Sequence, residues 1–479
     1  MVKVINKSLL IVLALGLGLG LVLALLALLG EGLIARAAPV AELHVCPSDC
    51  VYSSIQAAVD AAQEGAVIKV AQGTYTDVYH LASMDTSAFT ATQSVAITKS
   101  ITLQGGYTAT DWNSPDPEVH PTIIDAGGLG RVMVISGTIS PVIEGFHLTG
   151  GNSDGLGGKY VGDVGGGIFI SSASPLIISN QIYSNTATWY GGGLYLLNSS
   201  ATISNNIIAE NTTQHRGGGL YLDSAPFNSF RTIISGNTIR GNVSGIRGGG
   251  ISSYWSEVTL NGNRFESNTA ADQGGGLDLN GHSGVLNGNA FIGNQAKSGG
   301  GIYLNYYMGN GPTLINTVLV GNQASEGSGI WFGGHEYPTI NTVRALQTTL
   351  YDNGGGGEGI FIGEYASLAL TNTIIMSHTV GISLTTNSTT TLDSTLWYAN
   401  ETKQSGSITH INDHTGDPIL GDDGFHIGPN SAARDAGVNS GVYNDIDGER
   451  RPQGVGYDIG ADEFDLPAIY LPLVIKTNS

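Results

Sequence analysis

Residues 206–223 read NIIAENTTQHRGGGLYLD, and both halves of that stretch recur along the chain. The second half is a run of three glycines followed by an aliphatic residue. It returns at Gly165–Ile168, Gly191–Leu194, Gly217–Leu220, Gly248–Ile251, Gly274–Leu277 and Gly299–Ile302, with degenerate copies at 327–330 and 357–360. The aliphatic positions 168, 194, 220, 251, 277, 302, 330 and 360 lie 26, 26, 31, 26, 25, 28 and 30 residues apart. A repeat of that length is one turn of a solenoid. The first half has the form Asn-x-apolar-x-x-Asn, at Asn180/Asn185, Asn206/Asn211, Asn237/Asn242, Asn263/Asn268 and Asn289/Asn294; the next repeat keeps only Asn322. Between each pair sits one apolar residue, Ile182, Ile208, Ile239, Phe265 or Phe291, expected to point inward.

Stacked strands repeat at about 4.8 Å, so equivalent residues of successive coils lie above one another. Asparagines at a corner can then hydrogen-bond from coil to coil, and asparagine tolerates left-handed dihedrals. Glycine suits the next corner, where φ turns positive. A phosphate-loop reading of the glycines fails, because no run ends in Gly-Lys-Ser/Thr and the runs recur too often.

Composition agrees. Glycine contributes 71 of 479 residues, against about 7% in ordinary proteins, which excludes a long-helix protein. No Gly-X-Y period supports collagen. Hydrophobic residues make up 41% of the chain, which argues against general disorder. With 19 basic and 39 acidic residues the net charge is −20, which repels phosphate and excludes nucleic acid as a partner.

The repeats resemble those of pectin-lyase-like right-handed parallel β-helices, and in particular those of polymorphic outer-membrane proteins and related bacterial surface proteins. The resemblance is strong over 165–400. It implies an all-β solenoid of about twelve coils spanning 39–410. The pattern of 53–62, apolar at 55, 58, 59 and 62, predicts a cap helix at its start. A solenoid end exposes unpaired edges and needs such a cap.

The N-terminus sets the compartment. Lys3 and Lys7 precede an uncharged apolar run, Leu9–Leu29, and small residues follow to Ala38. Residues 1–38 therefore read as a cleaved export signal or as an uncleaved membrane anchor. Both place the rest of the chain outside. The only cysteines, Cys46 and Cys50, are expected to form one small disulfide at the start of the fold.

Residues 411–465 are distinct. From Asp413 to Asp465 there are 12 acidic and 3 basic residues, a net −9. The stretches 424–437, 445–452 and 457–463 resemble the choice-of-anchor segment that follows many exported bacterial β-helices. Asp445, Asp447 and Glu449 alternate at calcium-like spacing, without the rest of an EF-hand loop. They are expected to form a solvated turn or, failing that, a calcium site. The tail 466–479 contains Ile469–Lys476, too short and proline-broken to span a bilayer.

For catalysis, the motifs of the polygalacturonase and alginate-epimerase branches are absent. The nearest acidic grouping is Asp223 and Asp278, both expected to face outward, two coils apart, with His215, Arg216 and His282 on nearby corners. Their spacing lies at or beyond the reach of a carboxylate pair. The stronger signal is aromatic. The residues just after the aliphatic positions are Phe169, Tyr195, Tyr221, Ser252, Asp278, Tyr303, Trp331 and Phe361. They are expected to form two outward ribbons broken at Ser252 and Asp278, on which sugar rings can stack. Tyr195, Tyr221, Tyr303, Trp331 and Phe361 are the candidate ligand-binding residues. The functional expectation is a non-catalytic surface β-helix that contacts polysaccharide or host glycan. The alternative is a polysaccharide lyase or glycoside hydrolase.

Overall fold

The computed structural model describes residues 41–81, 89–159, 162–224, 230–281, 284–306, 311–334 and 341–464. The Leu9–Leu29 run, His282 and the C-terminal tail lie outside them. Among the described residues no helix is long and apolar enough to cross a membrane.

The coil at 194–219 shows why the repeat folds as it does. It runs as strand Leu194–Leu197, strand Thr202–Ser204, strand Ile207–Ala209 and a short strand Thr212–Thr213. Each pairs in parallel with its copy one repeat later, Leu194 with Leu220, Thr202 with Ile233, Ile207 with Thr238 and Thr212 with Val243. The outcome is a right-handed parallel β-helix. The strands after the glycines form a thirteen-stranded sheet, here the glycine sheet. Its twelve parallel strands run from Thr92–Ile97 to Thr402–Ser405, and Tyr79–His80 closes one edge antiparallel. The remaining strands form a 23-stranded sheet, here the long sheet, a four-stranded sheet of the short corner segments, and a two-stranded antiparallel ladder of Gly158–Lys159 with Gly162–Asp163.

Corners are built from single left-handed residues: Asn198 (φ 47°), Asn205 (55°), Glu210 (56°) and Gly217 (69°) in and after this coil. This corrects one expectation. The ladder asparagines themselves are not left-handed; the residue before each of them is, as at Asn205 before Asn206 and Glu210 before Asn211. The asparagine instead satisfies the backbone that the corner strands. Asn211 Nδ2 donates to Ile182 O (2.9 Å) and Asn242 Oδ1 (3.0 Å), its backbone N–H donates to the same Oδ1 (3.0 Å), and its own Oδ1 accepts from Asn185 N (3.1 Å) and Nδ2 (3.0 Å). A buried amide that uses its donors and acceptor so fully adds stability, whereas each group left unmade would cost about 1–3 kcal/mol.

The second ladder runs through Asn185, Asn211, Asn242, Asn268, Asn294, Asn322 and Asn353, and then through His378 and Asn400. His378 takes an asparagine's place; burial holds its imidazole down to about 4, so it serves as a neutral hydrogen-bonding group. The first ladder changes chemistry. After Asn289 the column continues as Thr317, Thr348, Thr373 and Thr395, all fully buried. The sequence pattern lost this ladder where threonine replaced asparagine.

The three glycines of a run serve three needs. A Cβ on Gly217 would sit 2.4 Å from Leu220 O and 2.7 Å from Tyr221 Cβ, and the residue is left-handed. On Gly218 it would meet Gly249 O of the next coil at 2.5 Å, and on Gly219 it would meet Gly250 O at 2.6 Å. The last two are therefore forced by coil stacking rather than by φ.

The cap helix is Ile55–Ala61, with Ser54 as N-cap. Ile55, Ala58 and Val59 close the core. Gln56 is bound to the edge of the first coil: Ala96 N donates to its Oε1 (2.7 Å) and its Nε2 donates to Ala96 O (3.3 Å). Lys99 Nζ binds the last helical carbonyls, Val59 O, Asp60 O and Ala62 O, at 2.8–3.0 Å. Cys46 and Cys50 are disulfide-bonded just before this helix.

Residues 411–464 are not a separate body; from Glu42 onward the described residues form one compact unit. The segment lies on the outer face of the long sheet. There the column Gln181, Ile207, Thr238, Arg264 turns apolar as Ala290, Val318, Thr349, Ile374 and Leu396. Phe425, Ile427, Ala433, Ile459 and Ala461 cover those late positions. Asn372 binds Val438 through both side-chain atoms (2.7 and 2.9 Å), and Thr349 Oγ1 accepts from Ala461 N (3.0 Å). Much of the segment's acidity is spent internally. Arg451 and Glu463 form a fully buried pair (2.8 Å), and Asp458 accepts from Asp435 N and Phe464 N.

Candidate functional site

The outward column of the glycine sheet is in register from Phe169 to Phe361. Its rings stack as two ribbons. Phe169–Tyr195 and Tyr195–Tyr221 have centroids 5.6 and 5.7 Å apart, and Tyr303–Trp331 and Trp331–Phe361 have centroids 4.3 and 6.1 Å apart. Their accessibility departs from expectation. Tyr195 and Tyr221 retain 0% and 2% of their surface, and Phe169 and Tyr303 are also buried. These rings point out of the coil but not into solvent.

The cover over the first ribbon comes from the corner just before the glycines. Tyr190 stacks on Tyr221 (4.6 Å), and Trp189 stacks on His215 (3.9 Å) beside it. Phe89 packs on Phe169 (5.2 Å). Arg131, fully buried, reaches over Phe89 and Phe169 with its guanidinium 4.9 and 5.5 Å from their centroids, and donates to Thr90 O and Val164 O. Burial pushes it down to about 9. No glycine or asparagine repeat marks Arg131 or Phe89, and the corner position of Trp189 changes residue type from coil to coil, so the periodic reading missed them. Phe89, Trp189, Tyr190 and His215 are half-buried, as are Trp331 and Phe361 of the second ribbon. A cleft of about 330 Å³ beside the first ribbon is lined by Phe89, Val134, Phe169 and Leu197 among others.

Between the ribbons the column is polar. Ser252 Oγ donates to Asp278 Oδ2 (2.7 Å), and Asp278 retains 1% of its surface. Burial pushes its carboxyl up to about 6 against the help of Ser252, Arg247 and Arg216. Asp278 Oδ1, Asn280 Oδ1, Gln273 Oε1 and Arg247 Nε are buried without a hydrogen-bond partner among the described residues. Asp223 is also buried and accepts from Tyr195 OH (3.0 Å). It sits in the column of Tyr254 and Asn280, not that of Asp278. The two carboxylates share a face, but they are two coils and two residues apart and each is engaged by a hydroxyl. This is not the geometry of a catalytic pair.

The three alternating acids of the C-terminal segment separate. Asp445 is buried and accepts from Asp447 N (3.0 Å), Glu449 N (2.8 Å) and Glu463 N (3.2 Å), so it closes a turn. Asp447 turns the other way, to His426 Nε2 (2.7 Å). His426 also meets Asp423 through Nδ1. Partial burial opposes its charge, but Asp423 and Asp447 outweigh that and lift the imidazole to about 9.

Residues 130–311 match the family described as periplasmic copper-binding protein (NosD). No curated protein matches the chain in sequence. Among solved structures, the chain is similar to pectate lyase Pel9A at 13% identity, covering 89% of this chain and 97% of that one, with a TM-score of 0.37. It is similar to the catalytic unit of a thermostable GH87 α-1,3-glucanase from Streptomyces thermodiastaticus at 13% identity, covering 75% and 65%, with a TM-score of 0.39. It is also similar to the A-module of the Azotobacter vinelandii mannuronan C-5 epimerase AlgE6 at 12% identity, covering 76% and 94%, with a TM-score of 0.25.

Proposed function

We propose that the protein is an extracytoplasmic surface β-helix that binds polysaccharide on the outer face of its glycine sheet, without cleaving it. The observation that carries this reading is the half-buried Trp331–Phe361 stack, continued at the other end of the same face by Phe89, Trp189 and Tyr190 beside the 330 Å³ cleft. Partly exposed aromatic rings offer apolar surface at little entropic cost, which suits contact with sugar rings. The engagement and offset of Asp223 and Asp278 support binding over hydrolysis. The N-terminal basic-apolar pattern, the Cys46–Cys50 disulfide and the match to a periplasmic family support an extracytoplasmic location. Copper, named in that family's description, finds little support within 130–311, because the cluster of potential metal donors found among the described residues lies outside that stretch.

The test is a glycan array probed with the purified full-length protein, with product analysis on any hit. Retention of an acidic or neutral polysaccharide with no new reducing ends or unsaturated uronides is the expected result. Release of such products, or silence across the array, would overturn the proposal.

A further inference from the structure

We propose that His426, Asp447 and Asp462 form a divalent transition-metal site that clasps the C-terminal segment to itself. Their ligand atoms all lie within 4.8 Å of one another. Donors at about 2.0–2.2 Å from one ion lie no more than about 4.4 Å apart, so only a small adjustment separates this arrangement from coordination. The three residues come from three separate turns: the Asp423–Ile427 turn, the Asp445–Glu449 turn and the final run into Phe464. An ion here would join chain segments that are otherwise tied by hydrogen bonds.

Two further features point to a ligand. The first is the setting of the imidazole. Asp423, outside the donor set, holds His426 Nδ1, and is itself fixed by Phe425 N (3.1 Å) and His426 N (3.2 Å). A carboxylate that orients one ring nitrogen so that the other faces two carboxylates is the usual outer shell of a metal-bound histidine. The second is Asp462. It retains only 5% of its surface, its Oδ2 accepts from Ile427 N (2.7 Å), and the positive group beside it is His426. The nearby Arg451 spends its fork on Glu463 and on the carbonyls of Gly460, Ala461 and Asp462. The positive group beside Asp462 is therefore the His426 imidazolium, and an ion that displaces its Nε2 proton would take over the same role.

The site is open to solvent, since the His426 and Asp447 side chains keep 42% and 47% of their surface, and Asp447 also lines a cleft of about 670 Å³ between the rod and the turn at 441–448. One imidazole nitrogen with two carboxylates favours a borderline ion such as Zn²⁺ or Co²⁺ over Ca²⁺, which prefers all-oxygen sites. Both cysteines are in the disulfide, so no thiol competes.

The experiment takes the full-length protein without an affinity tag, strips it with a chelator, and measures retention of Zn²⁺ and of Co²⁺, with Co²⁺ also followed by its visible absorption. One ion per chain is expected. His426→Gln and Asp447→Asn, both at exposed side chains and so compatible with folding, should each weaken retention at least tenfold, while Glu449→Gln leaves it unchanged. No retained ion, retention that survives in either the His426 or the Asp447 variant, or uptake of Ca²⁺ in place of Zn²⁺ and Co²⁺ would overturn the site.

Discussion

The coils at 168–302 and those at 313–398 share one core but are clothed differently. The early coils carry full glycine triplets and two asparagine ladders, and a second aromatic layer covers their glycine sheet. In the late coils the glycine runs decay, threonine replaces the first asparagine ladder, and the cover shifts to the long sheet, where the C-terminal segment lies. That shift leaves Trp331 and Phe361 partly open while Tyr195 and Tyr221 are sealed. The repeat dictates what faces inward; what faces solvent is decided by corner residues that vary from coil to coil, such as Trp189 and Tyr190, and by segments outside the repeat.

The contrast between the ladders gives the largest predicted effect. Asn242→Leu removes the bonds to Ile208 O and Asn268 Oδ1 and strands the N–H groups of Asn211, at a cost of about 3–5 kcal/mol. Thr348→Val in the threonine ladder loses one long bond to Leu346 O (3.5 Å) and should cost about 1 kcal/mol. Urea midpoints of the two variants decide this, and equal losses would mean that the asparagine ladder is decorative.

A second contrast separates φ from crowding. Gly217→Ala forces a Cβ against Leu220 O and Tyr221 and should cost about 3 kcal/mol. Gly321→Ala, at φ 63° with open space around it, should cost only about 1 kcal/mol. Thermal melts that reverse this order would refute the claim that local crowding, beyond φ, requires glycine at 217.

A third prediction concerns the polar break between the ribbons. Asp278 has a folded-state pKa near 6, above its usual 3.8. Its protonated form is therefore the one that folding favours, so its contribution is most favourable below about pH 4 and is lost as pH rises through 6. Asp278→Asn should raise stability at pH 7.5 by on the order of 2 kcal/mol, with the gain vanishing by pH 4. A gain independent of pH would assign the effect to something other than this carboxyl.

Legibility followed periodicity. The glycine and asparagine spacings sufficed for the coil and for the inward columns from Ile168 to Ile360. The cap helix was legible from the apolar face Ile55, Ala58 and Val59. The threonine column escaped because its residue type changed and its bonds became local: Thr317 and Thr348 donate to carbonyls two residues back, and Thr373 and Thr395 have no hydrogen-bond partner among the described residues. The cover escaped because Phe89 belongs to no repeat, and because the corner position of Trp189 carries a different residue type in each coil, His215 in the next. The docking of the C-terminal segment did leave a trace in adjacent apolar residues, Val318-Leu319, Ile374-Ile375 and Leu396-Trp397, which bury both faces of a strand. His426 and Asp462 lie 36 residues apart in sequence and meet only through the fold.

The most direct test is a titration of the strongest array glycan into wild type, Trp331→Ala and Tyr195→Phe. Loss of a partly exposed stacking ring should weaken Kd by about 1–2 kcal/mol, roughly five- to thirtyfold, while Tyr195→Phe, altered only beneath the aromatic cover, should leave Kd unchanged. An unchanged Kd for Trp331→Ala would contradict the claim that the uncovered late coils are the binding face.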